Sequence, residues 1–218
     1  METFKATECI SFGWQTFKKR AWYLIGIFIL LEISTVIINR LQFQGGASAF
    51  VSALALVVSV LTGIATIFIF LKAHDDVAQV TLADAWNKID VSLLGRYLGA
   101  YILYILIIVV GFILFIIPGI IFMLMFSQTL FLVVDRGLGP IEALKESKRI
   151  TTGYKVGLFL LNLLSLGVAL AGLICIFIGL FAAIPVILLA QMHAYRFMEG
   201  RATALSTGAP VNAKPVVG

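Results

Sequence analysis

The chain has 218 residues, of which 61% are hydrophobic and 12% are charged. Ordinary soluble domains have roughly 25% charged residues, so this composition excludes a soluble globular protein and indicates an integral membrane protein. The formal net charge is +5, and we expect the basic residues to form a surface beside anionic lipid headgroups. We do not interpret this surface as a nucleic-acid-binding site.

The apolar residues gather in four runs: Trp22 to Ile38, Phe50 to Leu71, Tyr97 to Val134 and Val156 to Tyr195. The last two runs are about twice as long as one membrane-spanning helix of ~20 residues. Each contains one proline, Pro118 or Pro185, which we expect to mark a break near the start of a new helix. Two single spans and two hairpins predict an all-α membrane protein with six transmembrane helices.

The basic residues fall on one side of these predicted spans. Of the 16 Lys and Arg residues, all but Arg40 lie on one side: before the first span, after the last span, or in the loops that join span two to span three and span four to span five. Cytoplasmic loops of multi-pass proteins are enriched in Lys and Arg. We therefore expect both termini to lie in the cytoplasm.

Three parts of the chain have a similar pattern, a short amphipathic helix followed by a transmembrane hairpin. "LADAWNKIDVSLLGRYLGA" (82–100) resembles "PIEALKESKRITTGYKVGL" (140–158), and a weaker copy covers 8–26. This pattern predicts three pseudo-repeated units, at about 4–72, 80–135 and 138–198, within a single membrane domain spanning 1–198. Residues 199–218 lack an apolar period and are expected to be a flexible cytoplasmic tail.

The short helices are expected at 8–18, 82–93 and 140–152, apolar side down in the headgroup layer. Thr81 with Asp84 has the spacing of a helix cap, and Gly139-Pro140 suits a helix start. The basic residues near these helices predict a cytoplasmic collar that contacts anionic lipid: Lys18, Lys19, Arg20, Lys145, Lys148 and Arg149.

Two glycine pairs recur at equivalent positions of the second and third units, with three residues between the members of each pair. Small residues at this spacing allow close helix approach, so we predict helix-packing roles for Gly95, Gly99, Gly153 and Gly157. The contacts would be internal to the fold or between subunits of a homo-oligomer, and the sequence leaves both open.

Glu32 is the one charged side chain within the apolar runs. It lies ten positions after Trp22, about 15 Å along the helix and near the bilayer midplane. Intramembrane acids are costly when ionised, so Glu32 is either a protonated group that hydrogen-bonds across helices or an ion or proton site. The candidate polar partners in other spans include Gln128, Asn162 and Gln191.

The sequence contains none of the common catalytic, phosphate-binding or metal-binding motifs. His74 and His193 lack a partner at metal-ligand spacing, and adjacent Asp75 and Asp76 do not share a helix face. Cys9 is expected on the cytoplasmic side and Cys175 in or near the outer half of span five, so no disulfide is expected. These features predict no enzymatic activity, no catalytic residues, no metal and no cofactor.

The segment "EALKESKRITTGYK" with a later apolar hairpin containing "IP" resembles a family of uncharacterised bacterial six-span proteins. These proteins are described as YciC-like or as the membrane domain of glycerophosphoryl diester phosphodiesterase. The resemblance covers the chain from about residue 80 onward. It implies a six-span fold and a location in the bacterial cytoplasmic (inner) membrane, without a catalytic domain, a reaction or functional residues.

Two functional hypotheses follow. The first is a non-enzymatic inner-membrane protein that acts in envelope organisation or homeostasis, through lipid or protein contacts at the cytoplasmic leaflet. The second is a small transporter or channel that uses Glu32. A polar, water-accessible cavity that joins Glu32 to other spans would favour the second.

Overall fold

The computed structural model describes residues 5–44, 48–76, 81–174 and 178–207. These residues form ten α-helices and, within the described ranges, no strand. The helices are α1 (Ala6–Lys19), α2 (Ala21–Gln44), α3 (Ala49–Asp75), α4 (Leu82–Lys88), α5 (Val91–Leu114), α6 (Ile116–Met125), α7 (Thr129–Arg136), α8 (Pro140–Thr151), α9 (Lys155–Ile174) and α10 (Ile178–Thr207).

The described residues contain six helical segments that are long and apolar enough to cross a membrane. They are α2, α3, α5, α6 together with α7, α9, and most of α10. This confirms the predicted all-α class and the predicted number of spans.

The two long apolar runs turn at different places relative to their prolines. Pro118 lies in the first turn of α6, directly after the break at Phe115, as predicted. The break predicted near Pro185 is wrong, because Pro185 lies inside α10, which begins at Ile178. A transmembrane helix tolerates an internal proline where its neighbours satisfy the freed backbone groups.

Glycine pairs explain the turn positions better than the prolines do. A Cβ on Gly111 would lie 3.0 Å from Cα of Gly119, and a Cβ on Gly172 would lie 2.9 Å from the carbonyl oxygen of Gly179. In both hairpins the two helices therefore meet through a glycine on each side of the turn. Cys175 lies between the second pair, outside the described residues.

The short helices form within two residues of their predicted bounds, except that one of them ends five residues early. Thr81 Oγ1 accepts from the backbone N–H of Asp84, while the Asp84 carboxylate accepts from the N–H of Thr81, so the predicted cap is confirmed. The predicted helix 82–93 instead ends at Lys88, because Asp90 accepts from the N–H of Leu93 and starts α5.

The chain after residue 198 is helical for longer than the sequence suggests. We expected a flexible tail from residue 199, whereas α10 continues to Thr207. Ala202 and Ala204 are buried, which gives this last part of α10 a packed side. The rest of the predicted tail, 208–218, lies outside the described residues.

Even-numbered spans form the inside of the bundle, and odd-numbered spans form its outside. In the most apolar stretch of each span, the share of residues that are buried is 50% for α3, 39% for α6 with α7 and 44% for α10. The corresponding values for α2, α5 and α9 are 22%, 17% and 22%. The end of the bundle that carries Asp75, Arg136 and Arg196 is called the basic end below.

Each short helix packs beside an inner span near the basic end. In α4, Asp84 pairs with Lys72 of α3, and in α8, Ser147 donates to the carbonyl oxygen of Met125 in α6. Helix α1 contacts the last span, since a Cβ on Gly13 would lie 2.5 Å from the carbonyl oxygen of Val186 in α10. The first helix of the chain is thereby joined to the last.

Candidate functional site

Arg196 joins the basic ends of the inner spans through ion pairs. Its Nη1 lies 2.9 Å from Oδ2 of Asp135 at the end of α7, and its Nη2 lies 2.7 Å from Oδ2 of Asp75 at the end of α3. Nη1 also lies 3.0 Å from Glu199, one turn along α10. These side chains are 12–23% exposed, so each charge depends on the others for much of its solvation.

A second group of ion pairs extends this network to α8. Arg136 Nη2 lies 2.6 Å from Oε1 of Glu199, and its Nη1 lies 3.3 Å from Oε1 of Glu146. Arg149 donates twice to Glu146, at 2.6 and 2.7 Å. The hydrogen bond from Arg149 lowers the pKa of Glu146, which keeps that carboxylate ionised. The charged cluster comprises Asp75, Asp135, Arg136, Glu146, Arg149, Arg196 and Glu199.

A pair of histidines adjoins the charged cluster. His74 Nε2 lies 3.1 Å from Nδ1 of His193, and the other ring nitrogen of His74 lies 2.9 Å from Oδ1 of Asp75. The ring of Phe12 in α1 stacks on His193, with 4.2 Å between centroids. A hydrogen bond between two imidazoles needs one donor and one acceptor, so this pair accommodates at most one added proton without breaking.

The described residues contain no group of three or more His, Cys, Asp or Glu side chains arranged to hold a metal ion. Cys9 is buried in α1, and burial raises the pKa of its thiol to about 11, which keeps it protonated at neutral pH.

The predicted intramembrane polar site is only partly assembled. Gln191 donates to Oδ1 of Asn162 at 2.9 Å, which joins α10 to α9. Gln128 is fully buried at the break between α6 and α7, where its backbone N–H donates to Ser147 and its side chain donates to Ser127. Among the described residues, no group donates to its Oε1.

Glu32 lies apart from those three residues. It is exposed on the outer span α2, and no hydrogen bond or ion pair among the described residues reaches its carboxylate. Its neighbours on the helix, Ile33 and Leu30, are also exposed. The structure thus places this acid on the outer surface of the bundle and does not join it to Gln128, Asn162 or Gln191.

The six residues of the predicted collar fall into two groups. Lys18, Lys19, Lys145 and Lys148 are exposed, and Lys18 lies over the ring of Trp14 at 5.6 Å. Arg20 lies 4.2 Å over the ring of Tyr23, and Arg149 belongs to the charged cluster. The lysines are therefore the members of the collar whose ammonium groups are open to headgroups.

The four predicted packing glycines have different surroundings. A Cβ on Gly99 would lie 3.0 Å from Cγ of Pro140, so this glycine allows α5 to approach the start of α8. Gly95 is exposed with no atom within 4 Å of its Cβ position, and Gly153 lies in a turn with φ of 91°, which favours glycine for conformational reasons. Gly157 lies in the first turn of α9. The recurring spacing therefore marks one close contact and one turn.

An apolar groove lies between α2, α3 and α4. Its volume is about 390 Å³. It is lined by Leu30, Leu31, Ser34, Ala65, Ala83, Ala85 and Trp86. Ser34 donates to the carbonyl oxygen of Leu31 at 2.6 Å, so its hydroxyl is satisfied within α2. Glu32 is not among the lining residues.

Sequence reasoning missed both the charged cluster and the histidine pair. Asp75, Asp135 and Arg196 look like separate loop charges, and His74 and His193 are distant in the chain. A usable signal was their shared position, since each lies at the predicted basic end of an even-numbered span. The even-numbered spans run in the same direction, so these ends lie on one side of the membrane and come together when the bundle closes.

No protein-family model, curated protein or solved structure matches the chain.

Proposed function

We propose that this protein is a non-enzymatic inner-membrane protein that acts in envelope organisation or homeostasis, with its basic end at the cytoplasmic leaflet. Its activity is contact with anionic lipid, or with a protein partner recruited there. The exposed lysines of α8 and α1 provide this contact. The resemblance of "EALKESKRITTGYK" to YciC-like proteins adds to this proposal a six-span fold and a membrane location, but no role.

The observation that carries this proposal is which charged residues of α8 are paired and which are exposed without a partner. Ala143, Leu144, Ser147 and Ile150 are buried, whereas Lys145 and Lys148 are exposed. The acidic residues of α8 are engaged elsewhere, because Glu142 accepts from the N–H of Gly139 and Glu146 pairs with two arginines. The lysines are left without an acidic partner among the described residues, and each can add about 1 kcal/mol of attraction to an anionic membrane surface.

The helix contacts support the three-unit arrangement that we infer for the chain. Helix α4 contacts the hairpin that precedes it, α8 does the same, and α1 contacts the last hairpin. This is the pattern expected of three similar units arranged in a ring, each short helix contacting the preceding unit. The ring would present the three short helices around the basic end, which is the arrangement a lipid-contacting collar needs.

The test is a double substitution, Lys145→Gln with Lys148→Gln. We expect it to weaken the preference for phosphatidylglycerol over phosphatidylcholine by up to roughly thirtyfold, measured by lipid competition in nanodiscs. The matched control is Arg149→Gln, which removes a charge of the same sign from the same helix but one already paired with Glu146. The control should lower stability and change the lipid preference little. An unchanged preference in the double variant would contradict the proposal.

A further inference from the structure

We propose that the apolar groove between α2, α3 and α4 binds one acyl chain of a membrane glycerophospholipid, with Trp86 beside the glycerol backbone. This rests on the proposed lipid-contacting function and adds a specific site to it. Headgroup charge does not govern this site, since its lining is apolar.

The position of the groove determines what fills it. Leu30 and Ser34 lie about 13 and 20 Å along α2 from its start at Ala21, so this wall reaches the middle of the bilayer. Leu30 is 56% exposed and Trp86 is 66% exposed, which shows that the groove opens sideways onto the outer surface. At that depth and on that face, the surrounding medium is lipid hydrocarbon.

The shape of the groove favours a chain over a helix. Ala65, Ala83 and Ala85 form part of its lining, and these small side chains leave a space between neighbouring helices. A second protein helix has a diameter of about 10–12 Å, which is wider than the gap between helices packed 8–10 Å apart. An acyl chain is thinner and flexible, and each buried CH₂ contributes about 0.8 kcal/mol.

Helix α4 forms the edge of the groove that is nearest the basic end. Asp84 faces Lys72 at 2.6 Å, and Lys88 lies 5.0 Å over the ring of Phe68, so this side of α4 is bound to α3. The other side carries Trp86 over the groove. Tryptophan is enriched where hydrocarbon meets headgroups, which matches the glycerol end of a bound lipid.

The test fills the groove with a bulky side chain. Ala83 is exposed and lines the groove, so Ala83→Trp should occupy the space without disturbing the core. Ala171→Trp is the matched control, the same change at an exposed alanine of α9 outside the groove. Native mass spectrometry of the detergent-purified chain, loaded from phosphatidylcholine nanodiscs, measures the retained phospholipid.

We expect the unmodified chain and Ala171→Trp to retain one phospholipid, and Ala83→Trp to retain about tenfold less. Trp86→Ala provides a second variant that opens the edge of the groove, and it should release the lipid faster. Equal retention by Ala83→Trp, or no lipid on the unmodified chain, would overturn the proposal. Loss of a dimer in Ala83→Trp would also overturn it, in favour of a second copy as the occupant.

The same measurement in phosphatidylglycerol separates this inference from the proposed function. The groove should retain its lipid from either headgroup, whereas the α8 lysines act on headgroup charge. If Ala83→Trp has no effect while Lys145→Gln with Lys148→Gln reduces the anionic preference, the groove proposal fails alone. If Ala83→Trp reduces lipid retention while the double lysine variant leaves the anionic preference unchanged, the groove proposal stands and the proposed lysine contact with headgroups fails.

Discussion

The inner span α3 and the outer span α5 have nearly the same apolar composition but different roles. Mean hydropathy is 2.7 for α3 and 2.6 for α5, although burial is 50% in the first and 17% in the second. In a bilayer both protein-facing and lipid-facing surfaces are apolar, so composition does not distinguish them. The difference lies in how each span ends.

Inner spans end in charges that pair with one another, and outer spans do not share this network. Asp75, Asp135 and Arg196 meet at the basic end, whereas Glu32 lies exposed halfway along an outer span. The comparison shows that a charge far from the middle of the membrane can organise the fold. The carboxyl group of Glu32, in the middle, makes no hydrogen bond or ion pair with the residues that the structure describes.

The largest expected effect comes from Arg196→Ala. This change leaves the carboxylates of Asp75 and Asp135 mostly buried without their shared cation, which should lower the free energy of unfolding by roughly 3 kcal/mol or more. Equilibrium unfolding in mixed detergent measures it. Arg196→Lys keeps the positive charge but not the two separate nitrogens that contact Asp75 and Asp135. It should therefore lower the free energy of unfolding by an intermediate amount. A loss below about 1 kcal/mol for Arg196→Ala would show that the inner spans are held together without the cluster.

A smaller effect is expected where α1 meets the inner span α10. Gly13→Ala places a Cβ 2.5 Å from the carbonyl oxygen of Val186, and we expect it to cost about 1–3 kcal/mol, measured by the same unfolding assay. Gly26→Ala in the outer span α2 is the matched control, since no atom lies within 4 Å of its Cβ position. The control should be neutral or stabilising by up to about 1 kcal/mol. Equal effects of the two changes would mean that α1 is not fixed against α10.

The smallest effect is expected for Glu32→Gln. Because the Glu32 side chain is exposed on an outer span, the amide should change the free energy of unfolding by less than about 0.5 kcal/mol. A larger loss would reveal a contact that Glu32 makes with another molecule, such as a second copy. If the variant folds normally but abolishes proton or cation flux in proteoliposomes, the transport hypothesis is correct.

The sequence predicted the spans because their apolar runs match the bilayer thickness, and it predicted the Thr81 cap because that signal is local. It misplaced the second hairpin turn because Pro185 is a weaker signal in a membrane helix than the close approach of Gly172 and Gly179. Such an approach depends on tertiary packing.

The candidate sites were harder to predict than the fold. Charge alone gave Lys145, Lys148 and Arg149 the same predicted role, because all three lie on one short helix. The structure distinguishes Arg149, which pairs with Glu146. Gln191 and Asn162 meet, whereas Glu32 does not join them, because depth in the membrane says nothing about which way a side chain faces. Rotation about the helix axis is set by neighbours distant in the chain.

The contact between α1 and α10 also determines when this protein can finish folding. Gly13 and Val186 are 173 residues apart in the sequence (186 − 13), so Val186 leaves the ribosome long after Gly13. Until then α1 has exposed the face that carries Cys9 and Phe17, residues that are buried in the finished bundle. Contacts of such long sequence separation form late, and the surfaces that await them are prone to aggregation. Ribosome-bound chains halted before α10 should therefore carry an α1 that is accessible to proteases.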